Sequence, residues 1–175
     1  MITTYTTEQI KIANKTCRDA GFVGRNAITP KFVKNHLQKL HNETNKPDNI
    51  YSVLDFGAGK NAIHAKELTK ENFLYVEAWE FGENKNDNHI KHLEKTYYDF
   101  VYSSNVLNVQ SHSAMLSNTL TMIYFTLAKG GSFFANYPLN PRKMKAWKNA
   151  DMMNEISSIF GNCEFKDRIF RAEKR

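Results

Sequence analysis

Apolar residues along this chain alternate between two spacings, and the switches mark out helices and strands in turn. Ile10, Ala13, Cys17 and Ala20 recur at helical spacing behind a Thr6–Gln9 capping box, and Gly21 closes that helix. Thr29 and Pro30 predict the N-cap and first position of a second helix with Val33, His36, Leu37 and Leu40 as its stripe. The polar stretch 41–49 reads as a linker. Ile50, Val53, Leu54 and Phe56 then form a run that suits a buried strand. Gly57 and Gly59 bracket a tight turn. Ala62, Ile63, Ala65 and Leu68 return to helical spacing, which predicts a helix over 61–70.

Later segments repeat the alternation. FLYVEAWE is a second strand ending at Glu80, and Phe100, Val101 and Tyr102 make the next. Ser113 is the expected cap of a long helix striped by Leu116, Leu120, Ile123 and Leu127, and Gly130–Gly131 turns it into the strand SFFANY. A last helix over Asp151–Phe160 stops at Gly161, and CEFKDRIFRAEKR gives one long strand or a tight hairpin.

Composition narrows the class without naming a function. The chain has 175 residues, 41% hydrophobic and 13% aromatic, which is enough for one globular domain with a real core. A net charge of +6 and a pI near 9.2 favour an anionic partner only modestly, since many soluble enzymes share that balance. Cys17 and Cys163 make neither a disulfide framework nor a metal site and read as buried thiols of a reducing compartment. The N-terminus lacks the pattern of a signal peptide and no apolar run is long enough to span a bilayer, so the expected location is cytoplasmic. The six histidines read as solvated surface groups, His89 and His92 included, and no metal is expected.

The chemistry concentrates in SVLDFGAGKNAIHAKE, residues 52–67. A strand running through glycines into a helix lets a ligand approach the main chain closely and presents it with unpaired N–H groups. Asp55, two residues before Gly57, offers a carboxylate to a cationic amine. Glu80 lies at the spacing expected of an acid that binds a ribose hydroxyl pair. An acid at position 55 suits a dinucleotide poorly, because it would repel pyrophosphate. The pair suits a nucleoside joined to a zwitterionic amino acid. A plain strand–turn–helix unit is the plainer reading of the same residues.

VLDFGAGKN resembles the first motif of class I S-adenosylmethionine (SAM)-dependent methyltransferases. WEF (79–81) is similar to that family's second acidic motif, YDFVYSSNVLNV (98–109) to its fourth-strand motif, and LAKGGSFF (127–134) to its turn into the fifth strand. The resemblance implies an α/β fold: a doubly wound, mostly parallel Rossmann-like sheet of about 5–6 strands. It also implies a helical arm over 1–49 packed on a SAM-binding domain over 50–175. SAM is the implied cofactor, held by Asp55, Phe56, Gly57, Ala58, Gly59, Asn61, Glu80, Phe81, Ser104 and Asn105.

One departure stands out. Only 18 residues separate Glu80 from Asp99, too few for the helix, strand and helix that the family usually places there. The third strand is therefore expected to be shortened or lost, with at most one short helix over 89–95 and with Asp87 and Asn88 as candidates for the adenine side.

On the acceptor side, Asn105 and Tyr137 are the candidate catalytic contacts, although the fourth-strand tip lacks the proline-rich tetrad of enzymes that methylate base amino groups. YPLNPRKMKAWKN is basic and aromatic, so Tyr137, Arg142, Lys143 and Trp147, with Arg25 from the arm, are candidate substrate contacts. Such a loop suits DNA or RNA, and equally an ordinary solvated surface. VLNV is similar to a segment of methyltransferases found with bacterial DNA-modification systems. The leading expectation is thus methyl transfer to a nucleic acid or nucleotide-like acceptor. A small-molecule methyltransferase and a non-catalytic SAM-fold binding protein stand beside it.

Overall fold

The computed structural model describes residues 6–12, 27–44, 49–93, 97–110, 112–137 and 147–175. Their elements run as α1 (7–12), α2 (Ile28–Glu43), β1 (Tyr51–Phe56), α3 (Ile63–Leu68), β2 (Leu74–Trp79), β3 (Tyr98–Ser103), α4 (Ser113–Thr126), β4 (Leu127–Asn136), α5 (Asn149–Phe160), β5 (Glu164–Lys166) and β6 (Ile169–Glu173). The six strands form one sheet in the order β2-β1-β3-β4-β6-β5. β1 to β4 are parallel, and β6 and β5 run antiparallel at one edge.

Adjacent residues along each central strand face opposite layers, so both faces are covered. Val53, Phe100, Tyr102 and Phe134 pack beneath Val33 and Leu37 of α2 and Leu68 of α3. Leu54, Phe56, Val101 and Phe133 pack against Leu116, Leu120 and Ile123 of α4 and Met152, Ile156 and Phe160 of α5. This is the doubly wound α/β sheet expected from the sequence.

The expected shortening is also present. No strand or helix is described between β2 and β3, only a 3₁₀ turn at Gly82–Asn84 and further turns to residue 93. The short helix expected from His89 is therefore absent over 89–93. Instead the Ile90 N–H donates to the Ala78 carbonyl at 2.9 Å and so lies along the outer edge of β2. Three local expectations also change. Thr29 is not a cap, because α2 starts at Ile28 behind Ala27, which makes no capping bond. The cap of α4 is His112, whose Nδ1 accepts the Met115 N–H, and Ser113 is the first helical residue. α3 is also shorter than 61–70, beginning after a left-handed Ala62.

Other expectations hold. Thr6 and Gln9 exchange both bonds of a capping box, at 2.9 and 3.2 Å. Gly161 closes α5 with φ 76°. The C-terminal stretch is the tight hairpin, turning through Asp167 and Arg168, both left-handed.

Candidate functional site

The carboxyl ends of β1, β2, β3 and β4 meet on one side of the sheet, and the glycine turn occupies that side between β1 and α3. Gly57 and Gly59 have φ 79° and 70°. The two glycines serve different needs. A Cβ on Gly57 would lie 2.5 Å from Val106 Cγ2, so packing alone demands glycine there. A Cβ on Gly59 would meet nothing within 4 Å, which leaves space for a ligand to come close. The Gly57 and Ala58 N–H groups donate to the Trp79 carbonyl at 2.9 and 3.1 Å, fastening the turn to the end of β2.

Two buried acids flank this turn. Asp55 is 1% exposed, and its Oδ2 has no hydrogen-bond partner. It pairs in register with Tyr102 on β3, whose hydroxyl is equally buried and interacts with the Asp55 carboxyl. Burial pushes the Asp55 carboxyl up from 3.8 to about 7. The nearby Glu80 charge adds to the rise, while the Tyr102 hydroxyl and Ala65 N–H pull the other way. Glu80 Oε2 accepts the Gly59 N–H at 2.8 Å and Oε1 accepts its neighbour Phe81 N–H at 2.9 Å. Its pKa is also raised by burial, against the pull of those two bonds. Phe56 is buried and stacks on Trp79 at 4.6 Å, so it can offer a ligand only its backbone. Ala58 and Phe81 are half-buried, and Asn61 is exposed.

The shortened span after β2 folds back onto the turn. His89 Nε2 lies 2.9 Å from the Gly59 carbonyl, and Asn86 Nδ2 donates to the Lys60 carbonyl at 2.8 Å. His89 is buried, so the surface role expected for it is corrected; His64 on α3 is buried as well. Asp87 and Asn88 remain exposed. A polar run carries no periodic signal of burial, and only the chain's return to Gly59 places His89.

At the tips of β3 and β4, three side chains form a knot. Asn136 Oδ1 accepts the Thr29 hydroxyl at 2.9 Å and the Asn105 N–H at 2.8 Å. Asn136 Nδ2 donates to Asn105 Oδ1 at 2.6 Å. Asn105 holds the left-handed φ of 58°, a conformation that asparagine tolerates better than most residues. Both lone pairs of Asn136 Oδ1 are engaged, whereas Asn105 Oδ1 keeps one for a ligand. Ser104 is buried beside it with its Oγ unpartnered. Tyr137 and Trp147 are both buried, and the Tyr137 hydroxyl accepts the Trp147 N–H at 2.8 Å. Arg25, Arg142 and Lys143 lie outside the described residues.

The knot supports a prediction. Asn136→Ala leaves the buried Thr29 hydroxyl and the Asn105 N–H without their acceptor. Chemical denaturation is expected to show a loss of about 2–3 kcal/mol, against about 1 kcal/mol for Thr29→Val. Equal stability of Asn136→Ala and the wild type would show that the knot holds nothing together.

Residues 25–169 match the family model described as "Methyltransferase domain". The chain belongs to the methyltransferase-domain family. Solved structures of methyltransferases share its fold. A magnesium protoporphyrin IX methyltransferase from Synechocystis with bound SAM is 13% identical, with a TM-score of 0.60 over 99% of this chain and 100% of that one. A sugar N-methyltransferase from Streptoalloteichus is 12% identical, with a TM-score of 0.66 over 91% and 93%. A 1,6-didemethyltoxoflavin-N1-methyltransferase from Burkholderia thailandensis is 12% identical, with a TM-score of 0.62 over 98% and 92%. A comparison with curated protein sequences gives no match.

The residues of this methyltransferase fit SAM as its cofactor. The unpartnered Asp55 Oδ2 is an acceptor of the right charge for the amine of SAM. Glu80 has used two acceptor positions and keeps others for ribose hydroxyls. The space over Gly59, where a Cβ would meet nothing within 4 Å, fits a close approach of such a ligand to the turn. Among the described residues no group of three or more His, Cys, Asp or Glu is placed to hold a metal ion, and no helix is long and apolar enough to cross a membrane.

Proposed function

We propose that this methyltransferase acts on a nucleotide-like or other small polar acceptor held over the tips of β3 and β4. The observation that carries the reading is the Tyr137–Trp147 latch. Its two ends are buried in the core, and it holds Trp147 against Tyr137, the residue directly after Asn136. A site bordered by two buried aromatic side chains suits a small enclosed acceptor better than an open groove for a polymer. The similar structures named above act on a porphyrin, a sugar and 1,6-didemethyltoxoflavin, which supports an acceptor of that size.

Bound SAM supplies a methyl group on a cationic sulfur that leaves as a neutral thioether, so the protein has mainly to align and to exclude water. In this reading Asp55 holds the amine, Glu80 the ribose, and Asn105 orients the acceptor through its remaining lone pair. Tyr137 acts through the latch and fixes the chain at Trp147.

Nucleic acid is the second reading, favoured by the +6 net charge and by the run of Arg142, Lys143, Lys145 and Lys148 in the sequence. Radiolabelled methyl transfer from SAM to nucleotides, sugars, small aromatic molecules, DNA and RNA separates the two. Label in a small molecule, with Arg142→Glu/Lys143→Glu changing turnover less than about threefold, is the expected result. Salt-sensitive labelling of DNA or RNA that this double change reduces at least tenfold would replace the first reading with the second.

A further inference from the structure

In the short span after β2, Asn86 and His89 fold back onto the glycine turn. The turn needs outside support. Gly57, Gly59 and Ala62 are all left-handed, and a non-glycine residue in that region is strained. Two carbonyls, those of Gly59 and Lys60, point away from the sheet's own hydrogen bonding. The first accepts His89 Nε2, besides the Ala62 N–H at 3.1 Å. The second accepts Asn86 Nδ2.

Hydrogen-bond accounting assigns the tautomer of His89. Its Nδ1 lies 3.1 Å from the Asn86 N–H, which can only donate. The Asn86 carbonyl is 3.3 Å from the same nitrogen but already accepts the His89 N–H at 3.0 Å. Nε2 faces a carbonyl, which can only accept. The Asn86 N–H aimed at Nδ1 and the Gly59 carbonyl aimed at Nε2 match the tautomer with Nδ1 as acceptor and the proton on Nε2. Gly59 is gripped at both ends of its backbone: its N–H by Glu80 and its carbonyl by His89.

We propose that His89 is a positioning residue for the cofactor, holding the Gly59 peptide in the orientation that keeps the cradle open to SAM. It touches the turn and not the reacting atoms. The inference rests on the SAM reading of the site. Its chemistry is simple: a buried N–H on a rigid ring holds the Gly59 carbonyl in one direction.

Calorimetric titration of the full-length protein with SAM tests it. His89→Ala is expected to weaken SAM binding about tenfold, the effect of one buried hydrogen bond. His89→Gln, whose amide N–H can reach the same carbonyl, is expected to recover affinity to within about threefold of the wild type. Normal SAM affinity in His89→Ala, or His89→Gln as weak as His89→Ala with both folded, overturns the proposal. A measurement on the unaltered protein guards against misfolding of the variants. Nitrogen-15 histidine spectra of the wild type should show the Nε2–H tautomer at His89, and the Nδ1–H tautomer overturns the proposal. Silence of the wild type toward SAM would instead bring down the cofactor reading, and this inference with it.

Discussion

Asp55→Asn is expected to make the ligand-free protein more stable and nearly unable to bind SAM. Asp55 is fully buried without a partner for Oδ2, and its pKa of about 7 lies well above the ordinary 3.8. An acid whose pKa is raised by folding binds more protons in the native state between those two values. Stability of the wild type therefore falls as pH rises from about 4 to about 7 and levels off above. Asparagine removes that slope. At about 1.4 kcal/mol per pH unit, the variant should gain on the order of 4 kcal/mol at pH 8 and almost nothing below pH 4. SAM binding moves the other way, because in the proposed reading the Asp55 carboxylate pairs with the amine. Losing a buried charge-assisted hydrogen bond should weaken affinity about 30- to 100-fold. In the wild type, affinity should climb as pH passes upward through about 7, since the cationic amine favours the ionised acid. Denaturation and SAM titration across pH check both halves. A variant less stable than the wild type at pH 8, with SAM affinity intact, would sink the assignment.

Gly57→Ala is expected to cost about 3 kcal/mol, the second large effect. Left-handed backbone at a non-glycine residue accounts for about 1–2 kcal/mol. The rest comes from Val106, because the new methyl would sit 2.5 Å from its Cγ2, on a branched side chain with little room to rotate. Gly59→Ala meets no atom within 4 Å and should show the backbone cost alone. Val106→Ala in the Gly57→Ala background removes the clash. The double change should therefore cost at least about 1 kcal/mol less than the sum of the single ones in a denaturation cycle. Additive costs would mean that the two residues do not meet.

The parts of this protein that sequence reveals are those governed by local repetition. The run from Val53 to Leu68 shows strand, turn and helix because burial imposes a period on each element. The missing strand is legible too, since a count of residues between Glu80 and Asp99 excludes it. The hairpin stayed undecided because Asp167 and Arg168 adopt left-handed angles without the glycine that usually announces them. What could not be read is the polar framework. His89 meets Gly59 across 30 positions and Asn136 meets Asn105 across 31, so neither contact leaves a periodic trace. Thr29 looks like a helix cap by type, yet its hydroxyl turns inward to Asn136. Short polar side chains satisfy backbone groups wherever the fold brings them, and only the assembled fold says which.

The trimmed sheet also has an exposure to manage. With no third strand, β2 is an edge, and in the span to residue 93 a single main-chain bond, from Ile90 to Ala78, covers it. A bare strand of the composition LYVEAW is the kind of surface on which other chains can pair and grow. The charge that interrupts it is Glu77, tied down by the hydroxyls of Tyr75 and Tyr98 at 2.9 and 2.6 Å. Set in the middle of a six-residue strand, that carboxylate is the kind of charge that disfavours pairing of another chain along an edge. Glu77→Val should therefore raise the tendency to aggregate, read as light scattering on incubation, and unchanged scattering would show that the edge is guarded otherwise.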